Sequence, residues 1–159
     1  MRVKNATWFE VRIKRERIND KGQSEDVTEI YMVDALSFTE AEYRTFKELA
    51  PSTKGELVVK NINPSPYQDV VFAEKEENMK WWKVKIEYIY TDERSEKEKR
   101  AKTVTLIQAA NPSAAIKMAE AYLSGTMLDY EISNVDITGV IGILELKSGE
   151  KHEKKRIPD

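Results

Sequence analysis

The chain contains no cysteine. Disulfides, thiolate metal sites and cysteine nucleophiles are therefore excluded, and the composition is compatible with a reducing compartment. Histidine occurs once, as His152. A zinc site would have to be built from carboxylates, and no spacing of Asp and Glu suggests one. No apolar run is long enough to cross a bilayer, and the first residues, "MRVKNATWFE", have no apolar core of the kind that a secretory signal needs. No glycine-rich phosphate loop and no G-x-S-x-G elbow occurs. A strong excess of positive charge is also missing: the formal net charge is −2 and the pI is near 5.7. A non-specific duplex binder is usually more basic, so a nucleic-acid role would need a local basic face. These absences point away from catalysis, metal and membrane, and towards a cytoplasmic binding protein with no cofactor.

What is present is a chain of 159 residues with 40 % hydrophobic and 34 % charged residues, enough for one ordinary domain with a strongly solvated exterior. Its clearest internal feature is a repeat. Trp8-Phe9-Glu10-Val11-Arg12-Ile13 aligns with Trp81-Trp82-Lys83-Val84-Lys85-Ile86 at a shift of 73 (81 − 8). Each run is followed by a charged, turn-rich segment, "RINDKGQSED" or "TDERSEKEKRAK", and then by a second apolar run, "VTEIYMVDA" or "TVTLIQAA". Within the first turn, "NDKG" has a faint likeness to a calcium loop but lacks the rest of one, and reads as a hairpin turn.

A helix signal follows in both halves. Ser37-Phe38-Thr39-Glu40 is a capping box, in which Ser37 accepts from the Glu40 N–H. At a shift of 74 (111 − 37) stands Asn111, a good N-cap, with Pro112 at the first helical position. The helices end towards Pro51 and Gly125. Ala41, Thr45 and Leu49, and Ala115, Ala119, Tyr122 and Leu123, form their core stripes. Two more strand-like runs close each half: "GELVVKNINP" and "YQDVVF", then "DYEISNVDIT" and "GVIGILEL". The expected fold is α+β: an internal duplication of a ββαββ unit, with antiparallel sheets, two helices and a pseudo-twofold relation. One copy of about 70 residues buries too little apolar surface to stand alone. The expected organisation is a single pseudo-symmetric domain over 1–146, with repeats at 7–72 and 80–146, and a disordered basic tail over 147–159.

Strand side chains alternate between faces. Phe9, Val11 and Ile13 share one face, as do Trp82, Val84, Ile86 and Tyr88. Trp8, Arg12 and Lys14, and Trp81, Lys83 and Lys85, fall on the opposite faces. An aromatic ring beside cations on an open strand face suits single-stranded nucleic acid, where bases stack at about 1–3 kcal/mol each and cations meet phosphates. Tyr31 and Tyr90 would extend that surface. The competing reading is structural: a Trp at a strand start caps a core, and neighbouring Lys stems cover it. Asp34, whose counterpart is Gln108, reads as a residue of the approach to the helix before it reads as catalytic. "SEKEKRAK" and "KHEKK" are solvated charge runs or phosphate-tracking arms.

Three segments carry a resemblance. They are Trp8-Phe9-Glu10-Val11-Arg12, "VDALSFTEAE" (33–42) and "GTMLDYEI" (125–132). With them the stretch from Thr7 to Leu146 resembles a family of uncharacterised proteins from Bacteroidetes bacteria and their bacteriophages, crAss-like phages included. The resemblance implies a domain of unknown function over nearly the whole chain, and a replication or host-interaction role in a bacterial host cell, for which single-stranded DNA binding is one form. It supplies no catalytic residue. The leading expectation is a non-enzymatic protein that binds single-stranded nucleic acid through Trp8, Arg12, Lys14, Tyr31, Trp81, Lys83, Lys85 and Tyr90. The alternative is a protein–protein interaction or homo-oligomeric assembly module that uses exposed sheet edges, with a copy of itself or another phage or host protein as partner.

Overall fold

The structure is a computed structural model that describes residues 1–75, 77–147 and 149–152. It is α+β: two helices, two mixed but mostly antiparallel sheets and a short 3-10 turn over Ala50–Ser52. The chain divides into two compact units. Among the described residues, one comprises 1–5 and 66–138; the other comprises 6–65 and the stretch from 139 to 152.

The second of these units starts with β2 (Trp8–Ile18) and β3 (Ser24–Asp34), which pair antiparallel from Trp8↔Asp34 to Ile18↔Ser24. The turn between them is the expected hairpin. Asn19 Oδ1 accepts from the N–H groups of Lys21 (2.9 Å) and Gln23 (3.0 Å), and Gly22 takes φ +76°, a region that only glycine enters without penalty. Helix α1 (Phe38–Leu49) follows, then β4 (Leu57–Pro64) against β2. The sheet order is β4-β2-β3-β9, where β9 (Val140–Leu144) lies parallel to β3. Helix α1 packs its Ala41–Leu49 stripe onto Phe9, Val11, Ile13, Tyr31 and Val33, the residues that strand alternation assigns to one face.

The other unit contains β6 (Lys80–Thr91), β7 (Glu98–Ala109), α2 (Pro112–Tyr122) and β8 (Asp129–Ile137), joined by β1 (Arg2–Asn5) and β5 (Tyr67–Phe72). Its sheet order is β1-β5-β7-β6-β8, with β5 parallel to β7 and the other pairs antiparallel. Ala115, Ala119 and Leu123 pack on Val71, Trp82, Val84, Ile86 and Ile107. The small alanines bring α2 close to the sheet, and Trp82 Nε1 donates to the Ala109 carbonyl at 2.8 Å.

Both helices begin at the expected caps. Ser37 Oγ accepts from the Glu40 N–H at 3.0 Å, and Asn111 Oδ1 from the Ala114 N–H at 2.8 Å. The Glu40 carboxylate reaches back one residue further than a standard capping box and accepts from the Leu36 N–H at 2.6 Å.

Two features differ from the sequence expectation. Strand β1 was not anticipated, since "RVKN" has no apolar alternation to announce it. More consequentially, β5 follows β4 in the chain but pairs with β7, while β9 follows β8 and pairs with β3. Each sheet thus takes its parallel strand from the other half of the chain. The segment expected as a tail, 147–159, is described only in part; 148 and 153–159 lie outside the described residues. Glu150 sits within salt-bridge reach of Arg44 (3.8 Å) and Lys47 (3.6 Å) on α1, and His152 Nδ1 lies 2.7 Å from Glu40 Oε1.

Candidate functional site

The expected stacking surface rests on Trp8 and Trp81, and the structure buries both, at 2 % and 6 % exposure. Alternation places them correctly, on the side away from the helix. It does not set depth, and on that side the neighbours are also buried: Met32 in one unit, and Val70, Leu106 and Phe72 in the other. The Trp81 ring meets Phe72 edge-on at 5.4 Å, and the Arg2 guanidinium lies 3.7 Å over the Phe72 ring. A ring enclosed in this way has no face to offer a base, so the structural reading of these tryptophans replaces the stacking one.

Tyr31 is likewise buried, on the helix side, and its hydroxyl accepts from Arg15 Nη2 at 3.3 Å. Tyr90 is exposed, but by strand parity it shares the side of Trp82 and not that of Lys83 and Lys85. The cations hold their expected places. Arg12, Lys14 and Lys83 are exposed and Lys85 is half-buried, Arg12 and Lys14 in one unit and Lys83 and Lys85 in the other. None of the four has an ion-pair partner among the described residues.

Sequence reasoning missed the polar groups set into the two cores. In one unit Arg15 and Glu29 are both buried on the helix side of the hairpin, with Nε to Oε1 at 2.6 Å. Arg15 Nη1 also donates to Ser52 Oγ at 2.6 Å and to the Leu49 carbonyl at 3.3 Å, so the pair closes the C-terminal end of α1. In the other unit Asp69 is buried, accepts from Asn5 Nδ2 at 2.9 Å and is hydrogen-bonded by the Tyr122 hydroxyl. Burial, then the Asp69 carboxylate, push the Tyr122 phenol well above the ordinary tyrosine value. The signal for Arg15 and Glu29 was available: both have the parity of the core residues beside them.

A further cluster joins Asp34, Glu40, Arg44 and His152. Arg44 Nε donates to the Asp34 carbonyl at 3.0 Å, and Leu146 N–H donates to Asp34 Oδ2 at 3.3 Å. Asp34 therefore anchors the chain after β9, a structural role. Among the described residues no group of three or more His, Asp or Glu side chains is disposed to hold a metal ion.

A concave surface lies between α2 and β8. It is a groove of about 750 Å³ lined by Ile116 and Glu120 from the helix and by Tyr130, Ile132, Asn134 and Val135 from the strand, a size that accommodates several side chains. β8 is the last strand of its sheet. Met127, 99 % exposed, and exposed Leu128 precede β8, and exposed Ile137 ends it. On the other face of β8, Arg100 Nη1 meets Glu131 Oε2 at 2.6 Å and holds the Glu131 carboxyl below its ordinary value, by hydrogen bond first and charge second.

Two helices, each laid on one face of its own sheet, define an α+β protein whose open surfaces are a sheet edge and rows of charge. The chain belongs to the family of a domain of unknown function (DUF4494), which matches residues 7–146 and leaves β1 outside the match. No curated protein matches the sequence. No helix among the described residues is long and apolar enough to cross a membrane.

Proposed function

We propose that the chain is a non-enzymatic protein–protein interaction module that acts through the sheet edge at β8. The observation that carries this reading is the conjunction of a terminal strand of nine residues, a partly apolar groove beside it and exposed Met127, Leu128 and Ile137 at the two ends of the strand. An unpaired strand edge with exposed apolar residues at its ends is how interaction sites are built. The test is hydrogen exchange of the full chain with and without short strand-forming peptides, alongside sedimentation equilibrium. Protection confined to 129–137, or self-association, is the expected result. A monomer with no protection by any such peptide would refute the reading.

A second reading, single-stranded nucleic-acid binding, keeps support from Arg12, Lys14, Lys83 and Lys85, which have no ion pair among the described residues. It also draws on the resemblance of "VDALSFTEAE" and "GTMLDYEI" to phage and Bacteroidetes proteins, which would place the chain in a bacterial cytoplasm. With the tryptophans buried, phosphate contacts would supply the affinity. Anisotropy of a labelled oligo-dT should then fall steeply with salt, and Lys83→Ala should lower the slope by about 0.7 for a lost phosphate contact. No binding at low salt would end this reading.

We infer also that the chain arose by duplication of a ββαββ unit. Several details recur at the repeat shift. Bulges occur at Arg12/Ile13 and at Lys85/Ile86, on the pairing with β4 and β8 respectively. Ser65 N–H donates to the Trp8 carbonyl, and Thr138 N–H to that of Trp81. Asp34 accepts from the Leu146 N–H, and Gln108 Oε1 from that of Ala73.

A further inference from the structure

Four strands end the two sheets, and they are not alike. β1 has four residues and carries Arg2 and Lys4; β9 has five. β4 has eight, carries Lys60 and ends at Pro64. Short length, inward or outward lysine and proline are the usual devices that prevent an edge from pairing with another chain. β8, with nine residues, "DYEISNVDI", has no Lys, Arg or Pro.

Its two faces specify different chemistry. Towards α2 stand Tyr130, Ile132 and Val135, half-buried, with Ile116 across the groove. On the opposite face stand Asp129, Glu131 and Asp136, all exposed. Glu131 is shared with Arg100; Asp129 and Asp136 have no ion pair among the described residues. Lys83 and Lys85 lie one strand further in, on β6. A strand added outside β8 would put alternate side chains into the groove and the others next to these carboxylates. A second copy of β8 would bring its own Asp129, Glu131 and Asp136 to the same face, a like-charge arrangement that disfavours pairing.

Resting on the interaction reading above, we infer that β8 receives an extended segment of a partner protein whose side chains alternate between apolar and basic, the apolar ones entering the groove beside Ile116 and Ile132 and the basic ones facing Asp129, Glu131 and Asp136. Main-chain hydrogen bonds to the edge give the affinity, and the charge pattern sets the partner and the register.

The test uses the full chain and two labelled peptides, one alternating Lys and Val, the other alternating Glu and Val. The Lys-Val peptide should bind more tightly by about tenfold, the product of several cross-strand charge pairs, and should protect 129–137 from exchange. The double variant Asp129→Lys, Asp136→Lys should reverse the preference. Ile116→Glu, at an exposed helix position, should weaken the Lys-Val peptide even though it makes the chain more acidic; strengthening would mean general charge attraction and would overturn the inference. Equal binding of both peptides at 129–137 would refute the basic partner while leaving an interaction module in place. Binding of neither peptide, in a chain that stays monomeric, would remove the module itself. Self-association abolished by Ile116→Glu would make a second copy the occupant, and direct binding of labelled oligo-dT that protects 129–137 would make it nucleic acid; either overturns the inference.

Discussion

Two interiors built on one order of elements solve the same problem with opposite electrostatics. Beneath the end of α1, the core of one unit holds an ion pair, Arg15–Glu29, with Tyr31 beside it. Beneath α2, the other unit holds Asp69, bonded by Asn5 and Tyr122, with Tyr88 nearby and no cation among these partners. At the repeat shift Arg15 corresponds to Tyr88, and Glu29 to Thr103. One interior thus accommodates a buried charge pair, and the other a buried carboxylate held by neutral donors. The two solutions should respond differently to damage. An ion pair left half-made strands a charge, whereas a phenol network loses one hydrogen bond at a time.

The largest expected effect is on the ion pair. Glu29→Leu should cost about 3–5 kcal/mol in urea denaturation, because Arg15 is left buried without its counter-charge. Adding Arg15→Met should recover most of the loss, since a well-packed apolar pair can replace a buried ionic one. If the single variant were as stable as wild type, the contrast between the interiors would have no energetic content. Next comes Tyr122→Phe, which withdraws one donor from buried Asp69 and should cost about 1–3 kcal/mol. A cost as large as that of Glu29→Leu would erase the distinction. Smaller again are the caps: Ser37→Ala and Asn111→Ala should each cost about 0.5–2 kcal/mol, and Asn111 should sit at the lower end, because Pro112 already favours the helical start.

The last effect appears only in alkali. Burial raises the phenols of Tyr31, Tyr88 and Tyr122. Their neutral forms are favoured in the fold, so their contribution is complete below the ordinary tyrosine value of about 10 and is lost as pH rises through the raised values. Ultraviolet titration of the native chain should show Tyr122 ionising above the ordinary tyrosine value. In Asp69→Asn its ionisation should move down, and an unchanged titration would contradict the network around Asp69.

Much of the fold was legible because local rules govern it. Val11-x-Ile13 and Val84-x-Ile86 announce their faces by period two, Asn19–Gly22 announces a turn, and Ser37 and Asn111 announce helix starts. The binding surface was less legible, for a physical reason. Alternation assigns Trp8 and Arg12 to one side of β2, but one is buried and the other exposed, since depth depends on what covers each stretch of that side. Strand partnership was hidden in the same way. "YQDVVF" satisfies the requirements of a buried strand beside either hairpin, and nothing within it names β7. The β8 groove escaped notice because "DYEISNVDI" reads as an ordinary half-buried strand until its place at the end of a sheet is known.

The exchange of β5 and β9 has a consequence for synthesis. The sheet nucleated by the first hairpin, β2–β3, lacks its parallel strand until residues 140–144 have left the ribosome. The other sheet has no such wait, because its parallel strand β5 is made before β6, β7 and β8. β5 emerges early, immediately after β4, with β3 exposing an edge of the kind that β5 later finds on β7. For the time that translation needs to reach β9, the nascent chain holds a strand and a vacancy side by side, and the finished topology requires that it leave them unmatched. Contacts of such long sequence separation form slowly. The interval between β5 and β9 is thus a window in which a wrong but local pairing competes with the right but distant one, and the rate of translation through 73–139 is the clock that sets its length.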